Sequence, residues 1–452
     1  METQPIFIAN ASLITGDGVT FIERAAIRLD GNKITDVSYA GNLSPNADDL
    51  VLDAAGTTII PGIINAHAHG CISGPSMPSG SPPLHSFEVA YQRNRHLTSG
   101  TTTLLNVCGL ACPEEIAGKD DKPHAIDIYV STAHTPMNVA AALQVDGRGL
   151  FDRHLNTTVD EMIARGAKAL GEAGGGQTLG GGAQDYRFLP QAIEAACGIC
   201  VHPNVARAFK DAVVGRRLDG MGTIDDDELD QLIGSFALNQ HLTARTLRKI
   251  VVDTVVPPVR LALVGIEEIA AQSHRLRLPA IFHNAAPTAD LLVRLAERYP
   301  RARMIAGHSN HPMFSADEAV HAARLLRDRG VTIDVSTLDC IVTRWRNEPG
   351  NLDALVEEGV IDTLSTDFAG GDWDSILAAI HRMIVKGQMV PARAVALATG
   401  NVARAFPEFA HDRGLLEKGK RADLAICDAH NLSRVRHVIA NGRFVVENAV
   451  IL

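Results

Sequence analysis

The sequence is 452 residues long, with 46% hydrophobic residues, 21% charged residues, a formal net charge of −10 and seven cysteines. An acidic chain without a basic stripe argues against nucleic-acid binding. The sequence shows neither a signal-like start nor an apolar run of about 18 residues, so we expect no secretion and no membrane span. Seven cysteines in a chain of this length fit a reducing compartment better than a disulfide framework, so we expect a cytoplasmic protein.

Both ends of the chain carry short strand patterns separated by turns. Asp30-Gly31-Asn32 is typical of a hairpin turn in the first sixty residues, and Asn441-Gly442 is typical of another near the end. The apolar run at residues 422–427 reads as a strand. We therefore predict one small β-sandwich domain assembled from residues 1–61 and 406–452.

Residues 62–405 differ, because strand patterns there alternate with helical ones. The predicted strands are residues 63–69, 101–107, 126–131, 167–172, 280–283, 303–308, 331–335 and 361–366. Eight such alternations close a parallel barrel, and no Gly-x-Gly-x-x-Gly follows an early strand to favour an open sheet. The predicted fold class is α/β, a (β/α)8 TIM-like barrel with the small β-sandwich domain.

One connection between strands is far longer than a barrel needs. Over a hundred residues separate Glu172 from His283, where a loop and a helix need about thirty. The excess is an insertion at about 176–257, glycine-rich at its start and then largely helical. Because it leaves the carboxyl end of a strand, we expect it over the barrel mouth as a lid or substrate wall; a peripheral or oligomer-contact role is the alternative.

Two histidines end the first strand of the predicted barrel. The stretch from Pro61 to Gly70 is a mostly apolar run that leads into His67 and His69, one residue apart. Residues i and i+2 of a strand share a face, so the two imidazoles are expected side by side, where neutral imidazoles chelate a divalent metal. Two surface histidines are the alternative for this pair taken alone.

Polar residues also end four other predicted strands. They are Glu172 on the fourth, His283 on the fifth, His308 on the sixth and Asp367 just after the eighth. A buried histidine bonded to a backbone carbonyl explains any single one, but not six such residues at expected strand ends. Because these ends converge on one mouth, the four histidines and two carboxylates predict a site for two divalent metals, with Glu172 bridging.

These motifs resemble the amidohydrolase superfamily over nearly the whole chain. Residues 61–70 are similar to its first-strand signature, 99–103 to its second-strand turn and 414–424 to its closing β-domain motif. The segments 171–174, 308–310 and 398–401 look most like the enamidase branch, in which a strand-four glutamate bridges two metals. The resemblance implies that His67, His69, Glu172 and Asp367 hold one ion and that Glu172, His283 and His308 hold the second.

The resemblance also implies an activity and a cofactor. It implies a metal-dependent hydrolase of carbon–nitrogen bonds, acting on a cyclic amide such as a lactam or N-heterocycle by attack of a metal-bridging hydroxide. Asp367 would take the proton of that hydroxide and return it to the leaving nitrogen. Zinc comes first among the two divalent ions, and iron, manganese and cobalt also suit the ligands. Lys168, four residues before Glu172, is the alternative bridge if carboxylated.

Three other readings stay open. A mononuclear deaminase of this superfamily would place His-x-x-Glu after strand five, whereas His283 is followed by Asn284-Ala285-Ala286. A hydrolase of larger linear amides or carbamates, acting on xenobiotics, remains open because of the insertion, which departs from the enamidase pattern. A non-catalytic structural relative would typically have lost His-x-His, which this chain keeps.

The expected partners are a small-molecule substrate and, from the resemblance, further copies of the chain in a dimer or tetramer. Four polar residues near the predicted ligands are candidate substrate contacts: Asn284, Asn310, His311 and His134. For the loop residues among them, hydrogen bonding to the loop backbone or to solvent is the alternative.

Overall fold

A computed structural model describes residues 4–117, 124–175, 179, 184–338, 349–367 and 375–452. Most of the glycine-rich start of the predicted insertion, at 176–178 and 180–183, lies outside the described residues.

The described residues form strands that we number in chain order. They are β1 (Ile6–Ile14), β2 (Phe21–Asp30), β3 (Lys33–Tyr39), β4 (Leu50–Asp53), β5 (Thr57–Pro61), β6 (Ile63–Ala68), β7 (Thr101–Asn106), β8 (Asp127–Thr132), β9 (Ala169–Ala173), β10 (Pro279–His283), β11 (Arg303–Gly307), β12 (Thr332–Ser336), β13 (Thr363–Ser365), β14 (Leu424–Asp428), β15 (Asn431–Ala440), β16 (Arg443–Glu447) and β17 (Val450–Ile451).

The helices among the described residues are numbered in the same way. They are α1 (Ser86–Thr98), α2 (Pro136–Val145), α3 (Asp152–Leu155), α4 (Val159–Ala164), α5 (Leu189–Cys197), α6 (Pro203–Val214), α7 (Asp226–Ser235), α8 (Ala244–Leu276), α9 (Ala289–Arg298), α10 (Ala316–Arg327), α11 (Gly350–Glu357), α12 (Ile376–Val385), α13 (Pro391–Ala396), α14 (Gly400–Ala405) and α15 (Pro407–Ala410).

Both chain ends contribute to one mixed sheet. Its order is β17-β16-β15-β14-β5-β1-β2-β3, with β4 beside β1. The antiparallel pairing of β5 with β14 joins the two ends of the chain, because Pro61 lies opposite Leu424. The sheet buries its own apolar cluster, which includes Ile8, Ile59 and Ile426. The predicted assembly of a β-structure from both termini is confirmed.

The central strands form the predicted barrel. The eight strands β6 to β13 pair in sequence order and in parallel. Side chains close the gap between the first and last strands, because Asn65 Nδ2 donates to Thr366 Oγ1 at 2.7 Å. The backbone N–H of Asp367 donates to His67 O at 2.9 Å. The carboxyl ends of β6 and β13 are thereby held together at the mouth of the barrel.

Helices α5 to α8 fill the long connection between β9 and β10. Helix α8 is 33 residues long with Pro257 and Pro258 inside it, so the helix runs through the predicted end of the insertion at 257. Arg216, just after α6, donates to Glu318 Oε2 at 2.8 Å and to Met313 O, which ties the insertion to α10. Among the described residues, no helix has the length and apolar composition that crossing a membrane requires.

Candidate metal centre

The carboxyl ends of β6, β9 and β13 bring four predicted ligands together. The Nε2 atoms of His67 and His69 each lie 3.2 Å from Asp367 Oδ1. The same two nitrogens lie 3.6 and 3.4 Å from Glu172 Oε2. The two imidazole rings are 5.4 Å apart between centroids, as expected for residues i and i+2 at the end of a strand.

The ends of β10 and β11 bring a second group to the other side of Glu172. Glu172 Oε1 lies 3.3 Å from His283 Nδ1 and 3.1 Å from His308 Nε2. The rings of these two histidines are 4.5 Å apart between centroids. Each oxygen of the Glu172 carboxylate therefore faces a different pair of histidines.

The backbone is bent at two of these residues. His308 has φ +37° and Asp367 has φ +51°, both in the left-handed region that non-glycine residues seldom adopt. Such conformations persist where surrounding contacts hold them, and they cluster at functional sites. The bends turn the chain at the ends of β11 and β13, which lets both side chains join the group at the mouth.

The carboxylates control the charge of the imidazoles around them. Burial lowers the pKa of His67, but Asp367 and Glu172 outweigh burial and raise it to about 10. Burial likewise opposes a rise at His69, where the same carboxylates hold the pKa well above its usual value. The pKa of Glu172 is well below its ordinary value, because the surrounding imidazoles outweigh its burial. The site therefore demands positive charge beside Glu172 and Asp367, from protons or from a bound cation.

The spacing of these groups fits a metal ion. Ligand atoms about 2.0–2.2 Å from a tetrahedral zinc ion lie about 3.3–3.6 Å from one another, and the six N···O distances here span 3.1 to 3.6 Å. Within the described chain, neither ring nitrogen of the buried His67 has a hydrogen-bond partner, and a buried polar atom is normally satisfied. The donor set of imidazoles and carboxylates could hold divalent ions in two groups that share Glu172.

A third group of metal-ligand types lies outside the mouth. Cys112, Glu115 and His154 are close together and buried. Glu115 already accepts hydrogen bonds from Arg153 Nε at 2.9 Å and from the backbone N–H of Cys112 at 2.8 Å. Because the Arg153 guanidinium balances the charge of the Glu115 carboxylate, we interpret this group as a hydrogen-bonded contact that holds α3 in place.

The four candidate substrate-contact residues differ in their surroundings. Asn310 is occupied structurally, because its Nδ2 donates to Ser336 O at 2.9 Å and its Oδ1 accepts from Ser336 N at 2.8 Å. Asn284 donates to Ser309 Oγ at 2.9 Å, and its buried Oδ1 has no partner among the described residues. His311 lies beside the second ligand group, with its ring 5.3 Å from that of His283. His134 is buried, and burial lowers its pKa to about 4, so its imidazole is neutral near pH 7.

Three further groups lie close to the ligand histidines, and sequence reasoning missed two of them, Leu179 and Asp334. Cys108, which the sequence already places near the end of the second barrel strand and within reach of the pocket, has its Sγ 3.7 Å from His69 Nδ1. Leu179 O lies 3.1 Å from His283 Nε2. Asp334 Oδ2 lies 4.0 Å from His67 Nδ1. A carboxylate inside the apolar strand 331–335 was a signal for Asp334, whereas a backbone carbonyl such as that of Leu179 leaves none in the sequence.

Imidazoles and carboxylates at the mouth of a (β/α)8 barrel are typical of metal-dependent barrel proteins, and comparison with known proteins points to one family among them. The model of the amidohydrolase family matches residues 283–445. The chain is 35% identical over 116 residues to imidazolonepropionase of Shouchella clausii, an alignment that covers 23% of this chain and 26% of that protein. It is 35% identical over 69 residues to 5'-deoxyadenosine deaminase of Methanothermobacter thermautotrophicus, which covers 15% of each protein.

Solved structures support the same fold over the full length. The β-aspartyl dipeptidase of Fervidobacterium islandicum AW-1, solved with a β-Asp-Leu dipeptide, superposes with a TM-score of 0.57 at 15% identity, covering 100% of this chain and 99% of that one. The family match over residues 283–445 and the two sequence relatives support the amidohydrolase superfamily for this chain. The aligned parts of the two sequence relatives span about a quarter or less of their own lengths, and the enamidase branch stays a prediction.

Proposed function

We propose that the protein is a binuclear metal-dependent hydrolase of a carbon–nitrogen bond. One observation carries this proposal: the two oxygens of Glu172 face two separate pairs of histidines, at 3.4 and 3.6 Å on one side and 3.1 and 3.3 Å on the other. A carboxylate in that position is suited to bridge two cations. Lys168 precedes β9 by one residue, at the entry of the strand, so Glu172 is the better candidate for the bridge.

We assign a separate role to each residue of the site from its chemical type and position. His67, His69 and Asp367 would hold one ion with Glu172, and His283 and His308 would hold the other. The chemistry that divalent ions would supply there is activation of a water molecule and polarisation of a carbonyl. Asp367 is the part-exposed member of the group, with 16% of its side chain accessible, so its carboxylate is placed to accept a proton from the nucleophile and to deliver it to the leaving nitrogen.

We propose a small cyclic amide, a lactam or an N-heterocycle, as the substrate. A narrow cleft adjoins Glu172 among the described residues. Its wall is made largely of small or apolar side chains, including Ala133, Ala141, Ala142 and Leu110. A narrow, mostly apolar wall beside the bridging carboxylate favours a small substrate over a large linear amide.

Further parts of the proposal rest on the sequence alone. Zinc is the first choice among the ions, the resemblance gives a dimer or tetramer as the expected assembly, and the cysteine content gives the cytoplasm as the expected location. The division into a composite terminal domain, 1–61 with 406–452, and a catalytic domain, 62–405, is proposed with them.

Metal content tests the proposal first. Protein purified without chelator and reconstituted with Zn2+ should bind two equivalents per chain, and Glu172→Gln should bind one or fewer. Glu115→Gln is the matched control, because Glu115 is also a buried carboxylate beside a histidine; it should keep two equivalents. One equivalent in the wild type, unchanged in Glu172→Gln, would remove Glu172 from the site.

A single metal equivalent that is unchanged in Glu172→Gln would favour a second candidate function, that of a mononuclear deaminase. The similarity of 69 residues to 5'-deoxyadenosine deaminase supports keeping it, although no glutamate follows His283 at the third position. Products distinguish the two functions: ring opening of a cyclic amide yields a new carboxylate, whereas deamination releases ammonia. Screening cyclic amides and amino-substituted heterocycles with both readouts separates them.

A further inference from the structure

Asp334 is a buried carboxylate in the middle of a barrel strand. It lies on β12 with 3% of its surface exposed. Its Oδ1 accepts from Thr363 Oγ1 at 2.8 Å, and its Oδ2 accepts from Ser365 Oγ at 2.7 Å. Among the described residues, no lysine or arginine lies within ion-pair distance of it. Burying a carboxylate without such a partner is costly, so this position calls for a reason.

The nearest imidazole supplies one. Asp334 Oδ2 lies 4.0 Å from Nδ1 of His67, on the opposite side of the ring from Nε2, which faces Asp367 Oδ1 at 3.2 Å. The ring also packs on the backbone of Gly307, where a Cβ would lie 3.0 Å from His67 Cε1 and 3.1 Å from Nδ1. The ring is thus confined with one nitrogen toward the ligand group and the other toward Asp334.

Two other ligand histidines have a group behind the nitrogen that faces away from the site. His69 Nδ1 has the Cys108 thiol at 3.7 Å, and His283 Nε2 has Leu179 O at 3.1 Å. Such partners fix the tautomer and the ring orientation of a metal-bound imidazole. A carboxylate, as Asp334 offers His67, also makes the imidazole a stronger donor, because it stabilises positive charge on the ring.

We propose that Asp334 is a positioning residue for the first metal site, formed by His67, His69, Glu172 and Asp367. Its carboxylate lies 4.0 Å from His67 Nδ1; with an ion at Nε2 it would accept the Nδ1–H of His67 and keep the Nε2 lone pair directed at the ion. This inference rests on the proposed function, since it needs an ion between His67 and Asp367. A purely structural role, in which Asp334 only ties β12 to β13 through the two hydroxyl groups, is the competing explanation.

Metal affinity in Asp334→Asn separates the two explanations. The substitution keeps the shape and removes the charge, so we expect the dissociation constant of the first site for Zn2+ to rise about 10–100-fold. Asp362→Asn is the matched control, because Asp362 Oδ2 accepts from Ile333 N at 2.9 Å at the other end of the same pair of strands; its zinc affinity should equal that of the wild type. Equal affinities in the wild type and both variants would overturn the positioning role alone.

A measurement on the wild type keeps the test decisive if Asp334→Asn fails to fold. In 15N-histidine spectra of the zinc-loaded protein, with His67 assigned through His67→Gln, we expect the Nδ1–H tautomer. An Nε2–H tautomer at His67 in a zinc-loaded protein would overturn the positioning role and leave the proposed function standing. A wild type that binds no zinc would overturn both.

Discussion

Glu172 and Asp367 govern the charge of the candidate site, because their carboxylates lie among buried imidazoles. Their carboxylates raise the pKa of His67 to about 10 against the effect of burial. The direction of this shift means that protons and a divalent cation would compete for the same imidazoles. Competition between protons and metal is expected for any such donor set.

Asp367→Asn tests the division between holding an ion and moving a proton. The amide keeps one oxygen near His67 and His69 but cannot accept a proton, so we expect metal content to stay near that of the wild type while kcat falls by about 10²–10⁴-fold. Metal analysis and steady-state kinetics on the same preparation check both parts. A rate close to that of the wild type would remove the proton-transfer role, and loss of metal would show that the carboxylate is chiefly a ligand.

For single residues, the sequence predicts the site residues that lie at strand ends. It does not predict residues whose role depends on contacts between distant parts of the chain. His283 and His308 each end an apolar strand, a pattern visible without a structure. Asn310 is also visible there, but its hydrogen bonds to Ser336 depend on how two loops meet. The relation between Asp334 and His67 joins the seventh barrel strand to the first, so no local pattern reveals it.

The elements of the barrel follow closely from hydrophobic periodicity. All eight predicted barrel strands have a counterpart within a few residues. The insertion is harder to read. Pro257 and Pro258 remove two helix hydrogen bonds, yet α8 continues because Val255, Pro258 and Val259 are buried along it. Tertiary burial outweighs the local preference there.

The link between the insertion and the barrel should depend on pH. Hydrogen bonds from Arg216 are the largest cause that lowers the pKa of Glu318 to about 2. A depressed carboxyl pKa contributes stability above the ordinary value near 4.5, and that contribution is lost as the pH falls toward 2. We expect Arg216→Gln to speed hydrogen exchange in α6 at pH 7, with the difference from wild type shrinking as the pH falls toward 2.

Arg248→Gln is the control for this experiment. Arg248 pairs with Asp226 at 2.8 Å and bonds Ile224 O at 3.0 Å, contacts that stay within the insertion. Its loss should leave the junction with α10 unchanged, so exchange in the N-terminal turn of α10 should rise only in Arg216→Gln. Equal exchange in that turn for both variants would show that Arg216 does not hold the insertion against the barrel.

The whole molecule depends on two closures that bring distant parts of the chain together. The terminal sheet closes where β5 pairs with β14, and the barrel closes where β13 meets β6. Repeated strand patterns predict that both closures exist, because strands need partners. They do not predict the side chains that make them: the bond from Asn65 to Thr366 spans 301 residues, and nothing in either local sequence marks it.

Thr366→Val should weaken both the closure of the barrel and the binding of an ion by His67, His69, Glu172 and Asp367. The hydroxyl of Thr366 accepts from Asn65 Nδ2 at 2.7 Å, both groups being buried. Its loss leaves a buried amide unsatisfied, at a cost of about 1–3 kcal/mol in the free energy of unfolding. Because Asp367 is the next residue and its backbone N–H bonds His67 O, we also expect weaker binding of the ion between them than of the ion at His283 and His308.

Thr102→Val provides the comparison that makes this prediction specific. Thr102 on β7 is equally buried, and its hydroxyl has no hydrogen-bond partner among the described residues, so the same change there should leave the free energy of unfolding unchanged or raise it. Denaturant midpoints of both variants, with sequential metal titrations, give the two readouts. If Thr366→Val lowers stability and weakens the binding of both ions equally, the closure supports the barrel as a whole. If it weakens only the binding of the ion between His67 and Asp367, the contact between Asn65 and Thr366 couples the fold of the barrel to the position of Asp367.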